Sequence, residues 1–281
     1  MTETMTDTRL DDLPLVMEPE ELEPLLGASG LLVVDLCDGE RYARGHVPGA
    51  IHLEFPRLIR QEPPAMGLLP TAQQLTALFS EIGLTPETHV VAYDNTGSGR
   101  AARLLWTLDA VGHQAYSLLN GGLRAWAEEG HPLEQTPNQP QAGNYPVQLT
   151  DLPDSQADAD YLRSRLGAAD LCVLDARSAA EYRGEDIRAA RGGHIPGAVN
   201  LDWVELRDPD ANDRLRPAGE LLEMLEHIGA TPDKEIITHC QTHHRSALTW
   251  VALRALGYER VRGYDGSWSE WGNHAELPVE R

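Results

Sequence analysis

Lysine is almost missing from this sequence: Lys234 is the only one among 23 basic residues. No second lysine is therefore available as an amine nucleophile or a mobile anion contact. Positive potential in any site must come from arginine, histidine or backbone N–H groups. Cysteine is also scarce. Cys37, Cys172 and Cys240 make an odd number, and the start of the chain, MTETMTDTRLDDLP, lacks the basic and apolar stretches of a secretion signal. That combination speaks against a disulfide framework and favours a cytoplasmic location. No apolar run approaches the roughly 20 residues of a membrane helix. Positive charge is short overall: the formal net charge of -21 argues against nucleic acid and anionic membrane as partners.

What is present is a soluble globular composition, 41% hydrophobic and 24% charged, in 281 residues. That length is enough for two domains with separate cores. The halves resemble each other. LLVVDL leading to ERYARGHVPGAIHLEF in the first matches LCVLDA leading to AEYRG and GGHIPGAVNLDW in the second. Asp35 pairs with Asp175, Tyr42 with Tyr182, and the His46–Ala50 segment with His194–Ala198. HVVAYDNTGSGRAARLLW then matches EIITHCQTHHRSALTW. Each copy reads as strand, helix, strand, turn, helix, strand, loop, helix, strand, helix, an α/β pattern with a mostly parallel sheet. In the second copy YPVQLT, LCVLDA and EIITHC read as strands, and DADYLRSRLG, RPAGELLEMLEHIGA and SALTWVALRALGY as helices. The proline-rich stretch HPLEQTPNQPQAGNYP reads as a linker. The expected division is 1–135, first copy; 136–148, linker; and 149–281, second copy.

The copies differ most after the third apolar strand, where the second has Cys240 and the first Asp94. The segment HCQTHHRS lies between a strand and a helix, where α/β sheets bind ligands. A helix starting there aims unpaired N–H groups and the positive end of its dipole at the loop, which lowers a thiol's pKa. Arg245 and the imidazoles of His243 and His244 are expected to add positive potential. Three other readings compete. Cys240 could be a buried strand-end residue. His239, Cys240, His243 and His244 could hold a metal, but they form one short loop rather than separated ligand pairs, and His239 and Cys240 should face opposite ways. A cysteine phosphatase would place five residues between Cys and Arg. Here four separate Cys240 from Arg245, a tighter ring suited to one added sulfur. Cys37 and Cys172 read as inert core thiols.

At this point the sequence resembles the rhodanese family over nearly the whole chain. YARGHVPGAIHL (Tyr42 to Leu53) and VRGYDGSWSEW (Val261 to Trp271) look like the family's two signatures. Cys240-Gln241-Thr242-His243-His244-Arg245 is similar to the active loop of a bacterial group of tandem rhodaneses in which the first domain is catalytically silent and the second carries the cysteine, which implies a silent 1–135 and a catalytic 149–281 here. The resemblance implies sulfur transfer from thiosulfate, or from 3-mercaptopyruvate, to cyanide or a thiol through a Cys240 persulfide. It implies donor contacts from Gln241, Thr242, His243, His244, Arg245 and Arg177, with no metal or organic cofactor. A persulfide carrier serving thioredoxin or another sulfur-acceptor protein is the alternative, motivated by exposed His243 and His244. The chain is expected to act as a monomer. The sequence departs from the family where Gln241 and Thr242 replace a basic residue, where the glycine/serine-rich loop of mercaptopyruvate enzymes is absent, and where Glu181 replaces an arginine. Arg177 has a competing reading as a structural ion pair. Arg183 and Arg191 read as surface charges. Trp250, Trp268 and Trp271 read as core, and the residues that recur in both copies, His46, His194, Asp35 and Asp175, read as structural.

Overall fold

The computed structural model describes residue 10 and residues 13–281. The first unit comprises β1 (Val16–Met17), α1 (Pro19–Leu22), β2 (Leu31–Asp35), α2 (Gly39–Arg44), β3 (Ile51–His52), β4 (Arg60–Glu62), β5 (Ala65–Leu68), α3 (Ala72–Glu81), β6 (His89–Tyr93), α4 (Gly99–Ala110), β7 (Tyr116–Leu119) and α5 (Gly122–Glu128). The second comprises β8 (Gln156–Ala157), α6 (Ala159–Arg165), β9 (Leu171–Asp175), α7 (Ala179–Tyr182), β10 (Val199–Asn200), β11 (Arg207–Asp208), β12 (Arg214–Leu215), α8 (Ala218–His227), β13 (Glu235–His239), α9 (Arg245–Ala255), β14 (Val261–Tyr264) and α10 (Ser267–Trp271). Each unit holds a parallel five-stranded sheet, ordered β1-β7-β6-β2-β3 in one and β10-β9-β13-β14-β8 in the other. The central strands β6 and β13 are buried along their whole length, as parallel strands covered on both faces must be.

The repeated residues do repeated structural work. Tyr42 stacks on His46 and Tyr182 on His194, each at 3.8 Å between ring centroids. The two tyrosine hydroxyls donate to the carbonyls of Ala50 and Ala198 at 2.9 and 2.6 Å. Glu134 and Glu280 accept the N–H of Gly49 and Gly197 at 2.8 and 2.9 Å, closing the two turns alike. The structural reading of His46 and His194 holds, and Trp250, Trp268 and Trp271 are core.

Two expectations need correction. YPVQLT is not a strand: residues 145–150 carry no regular element, and the strand of this region is β8. The stretch is extended along α3 instead, where the N–H groups of Tyr145 and Val147 donate to Ser80 Oγ at 3.2 Å and Thr76 Oγ1 at 2.9 Å. Its alternating apolar side chains are buried against a helix rather than in a sheet. Arg191 is no free surface charge. It is half-buried and donates to the carbonyls of Leu277, Trp271 and His274, pinning the end of the chain.

The pattern also did not reveal two β-hairpins, β4–β5 and β11–β12. Each belongs to one unit and leans on the other. In β5, Met66 donates to Ser269 Oγ at 3.1 Å, and a Cβ on Gly67 would sit 2.5 Å from the Thr242 carbonyl oxygen. Arg207 of β11, stacked on Trp203, lies against Gly97. The helices α4 and α9, which follow the two equivalent loops, pack on each other across the interface.

Candidate active site

The loop from Cys240 to Arg245 joins the end of β13 to the start of α9. Cys240 is fully buried. Its backbone is tied to the start of α10: its N–H donates to Ser267 Oγ at 3.3 Å, and its carbonyl accepts from the Trp268 N–H at 2.9 Å. Burial alone raises a thiol's pKa. Here that effect is outweighed by the Arg245 charge, a hydrogen bond from the Ser246 hydroxyl, and the N–H groups of Ser246 and Thr242, so the Cys240 thiol is held below its ordinary value. The other two thiols move the opposite way. Desolvation and then Asp35 push Cys37 far up, and desolvation pushes Cys172 to about 11, in keeping with inert core residues.

Ser246 is itself oriented. His243 Nδ1 lies 2.7 Å from Ser246 Oγ. If the neutral ring carries its proton on Nδ1, it donates to Ser246 and leaves the hydroxyl proton free for the Cys240 sulfur, an assignment that rests on the hydrogen-bond network. Desolvation holds His243 well below the ordinary imidazole range and pushes His244 down to about 4. Both are therefore neutral near pH 7, so the positive potential expected from them is not supplied. Their expected exposure is also corrected. His243 is fully buried, in a left-handed conformation (φ 54°), edge-on to Trp106 of the first unit at 4.6 Å. His244 is half-buried, edge-on to Phe55 at 5.8 Å.

Arg245 is the loop's charged residue, and its fork is met by Glu181. Nη1 and Nη2 donate to the two carboxylate oxygens at 2.7 and 2.9 Å. Burial would raise the Glu181 pKa, but Arg245 overrides it and the carboxyl is pushed down to about 2. Glu181 also closes the N-terminal cap of α7 with Ser178. Sequence reasoning noticed Glu181 only as a departure and missed its partner. The S-x-x-E spacing from Ser178 was the available signal, and it pointed to a cap rather than to Arg245.

The remaining sequence candidates separate. The Gln241 side chain donates to the Arg188 carbonyl at 3.1 Å, and Thr242 Oγ1 lies 3.2 Å from His244 Nδ1. Arg177 does not reach out as a donor contact. It is buried, its guanidinium spans both oxygens of Asp175 at 2.5–3.0 Å, and it stacks on Trp268 at 4.3 Å. The ion-pair reading is the one the geometry favours, because a guanidinium so engaged has no free face. His239 faces this pair, its Nε2 3.6 Å from Asp175 Oδ2.

In the first unit the equivalent loop holds Asp94. Its Oδ1 accepts from the N–H groups of Thr96 and Ser98 at 2.7 and 2.9 Å, and its Oδ2 from those of Arg100 and Ala101, both at 2.9 Å. The carboxylate fills the ring of donors and caps α4.

The family model described as rhodanese-like domain matches the chain twice, over residues 18–129 and 158–274. A Pseudomonas aeruginosa protein named thiosulfate sulfurtransferase is 51% identical over 269 residues, 96% of this chain and 98% of that one. An Azotobacter vinelandii protein of the same name is 52% identical over 95% of this chain and 97% of its own length. A Thermus thermophilus protein named sulfur carrier protein TtuD is 34% identical over 85% and 87%. Among solved structures, an anaerobic ergothioneine biosynthesis enzyme from Chlorobium limicola shares the fold, with a TM-score of 0.87 at 23% identity over 99% of this chain and 73% of that one.

Proposed function

Because the chain belongs to the rhodanese family, with two rhodanese-like domains in tandem, we propose that it is a thiosulfate sulfurtransferase working through a persulfide on Cys240. The Cys240 thiolate attacks the outer sulfur of thiosulfate. A new S–S bond forms, the bond inside thiosulfate breaks, and sulfite leaves with the electron pair. A thiophilic acceptor, cyanide or a thiol, then attacks the outer sulfur of the persulfide and returns the thiolate. The observation that carries this reading is the placement of Cys240 in the loop between β13 and α9, fully buried with Arg245, Ser246 and loop N–H groups beside it, which favour its thiolate. The same donors would stabilise negative charge on sulfur in both half-reactions. Gln241, Thr242 and Arg245 are the proposed donor contacts, and His243 acts through Ser246.

Incubation with thiosulfate followed by intact-mass measurement tests this. One sulfur should be gained, and the gain should vanish in Cys240→Ala. A gain that survives the substitution would overturn the assignment. Specificity constants for thiosulfate and 3-mercaptopyruvate decide the donor, and thiosulfate is expected to lead. The Thermus thermophilus relative, named a sulfur carrier, favours a second reading in which the persulfide is handed to a protein. Transfer to a protein acceptor such as thioredoxin, much faster than to cyanide, would support it.

A further inference from the structure

Cys240 and its loop belong to the second domain, but the loop's outer side rests on the first. Arg103 of α4 is completely buried beneath it. Its Nη1 donates to the carbonyls of His243 at 3.2 Å and Thr242 at 3.5 Å. Its Nη2 donates to the carbonyls of Gly67 at 2.8 Å and Leu58 at 3.5 Å, and its guanidinium stacks on Trp106 at 4.6 Å. One guanidinium thus ties two loop carbonyls to the β4–β5 region of the catalytically silent domain.

We propose that Arg103 is a positioning residue for the Cys240 loop, acting across the domain interface by fixing the direction of the Thr242 and His243 peptide groups. A trans peptide points its C=O and its N–H to opposite sides. With the Thr242 and His243 carbonyls turned towards Arg103, the N–H groups of His243 and His244 are turned away from it. Neither N–H has a protein oxygen acceptor among the described residues, so both remain available to an anion. The left-handed backbone of His243 makes this fixing necessary, because a non-glycine residue holds that conformation only when its surroundings impose it. Arg103 also brings charge. Desolvation pushes its pKa down, but only to about 10, because Asp265 and Cys240 favour its charged form; it is a cation near pH 7. It supplies the positive potential that neutral His243 and His244 do not.

The inference rests on Cys240 as the sulfur-carrying residue. Arg245 and Ser246 of α9 and Arg103 of α4 share electrostatic contact with that sulfur, neutral His243 and His244 of the loop face Arg103, and His239 of β13 faces Asp175. Asp265 and Glu181 act on Arg103 and Arg245 respectively. The test compares full-length wild type with Arg103→Met, Arg103→Lys and Leu108→Ala, the last a core truncation one turn further along α4. Two quantities are read: the pH midpoint of Cys240 alkylation by iodoacetamide, and the rate of persulfide formation with thiosulfate at pH 7. Arg103→Met should raise the midpoint by about one unit and slow persulfide formation about tenfold. Arg103→Lys should bring the midpoint back towards wild type by restoring the charge, while the rate stays low because an ammonium cannot span the carbonyls. Leu108→Ala should lower the melting temperature and leave the midpoint where it was. If Arg103→Met does not fold, Arg103→Lys against Leu108→Ala still decides. Folded Arg103 variants with wild-type midpoint and rate would overturn the inference. A wild-type protein that takes up no sulfur would instead overturn the Cys240 reading itself.

Discussion

The two strand-to-helix loops of this molecule are the same scaffold carrying different occupants. In the first domain Asp94 reaches back with both oxygens and takes four backbone N–H groups. In the second, Cys240 offers one large sulfur to the N–H groups of Thr242 and Ser246 and to one hydroxyl. The first loop has five residues between the occupant and its arginine, and the second has four. A ring of inward N–H groups at a helix start stabilises an anion in either case. The first domain fills its ring with a carboxyl side chain that completes a helix cap. In the second domain, on the function proposed above, the anion is the reactive group.

The sharpest way to break this comparison is to remove each occupant. Cys240→Ser should abolish sulfur uptake while leaving the melting temperature nearly unchanged. Asp94→Ala should do the reverse: turnover within about twofold of wild type, with stability lowered by about 2–4 kcal/mol, because four backbone N–H groups, those of Ser98 and Ala101 buried, lose their acceptor. Denaturant titration and cyanide turnover read the two effects. Loss of turnover in Asp94→Ala would mean that the first loop is not silent.

The arginines come next. Arg245→Ala removes the charge that holds Cys240 down and strands Glu181, which is 2% exposed. Persulfide formation at pH 7 should fall by about 10-fold to 100-fold, and stability by about 3 kcal/mol. Its counterpart Arg100 pairs with Asp38 at the surface, and Arg100→Ala should cost less than about 1 kcal/mol. A smaller test uses the hairpin. Gly67→Ala places a methyl group against the Thr242 carbonyl, and this backbone cannot yield as a flexible side chain would. Turnover should fall about tenfold through displacement of the loop.

The last test is with pH. The folded state holds His239 and His244 down at about 4, against an ordinary value near 6.5. On acidification the unfolded chain takes up protons first. Their stabilising contribution is complete above pH 6.5 and is lost as pH falls towards 4. Glu181, pushed down to about 2, contributes fully above the ordinary carboxylate value and loses that contribution only at lower pH. Between pH 7 and pH 5 the histidines therefore dominate among these groups. The melting temperature should drop by several degrees over that interval, and the slope should flatten in His244→Asn. In the first domain the position matching His239 is Tyr93, which does not titrate in that range.

The repeat, the parallel sheets and the placement of Cys240 at a strand end were legible, because each follows from patterns local to one half of the chain. What escaped was whatever crosses between halves. Arg103 reads from sequence as an ordinary polar residue of a helix, since nothing in RAARLLWTL says that its face meets another domain. Glu181 reads as a missing family arginine, and its clamp on Arg245 lies 64 positions away. YPVQLT has a true strand's alternation, but alternation reports a buried face and not a hydrogen-bonded neighbour. The histidines were misjudged for a related reason: charge was inferred from residue type, whereas burial decided it.

The crossed hairpins have a consequence for how the molecule comes apart. With β5 seated on the Cys240 loop and β11 on the Asp94 loop, neither half carries the cover for its own loop. Opening the interface uncovers both loops at once and strips each of its packing. Unfolding should therefore be cooperative across the whole chain, with one calorimetric transition in place of two, and hydrogen exchange in the two loops should share a single opening free energy. A separated second half would keep Cys240 but lose that shared unit.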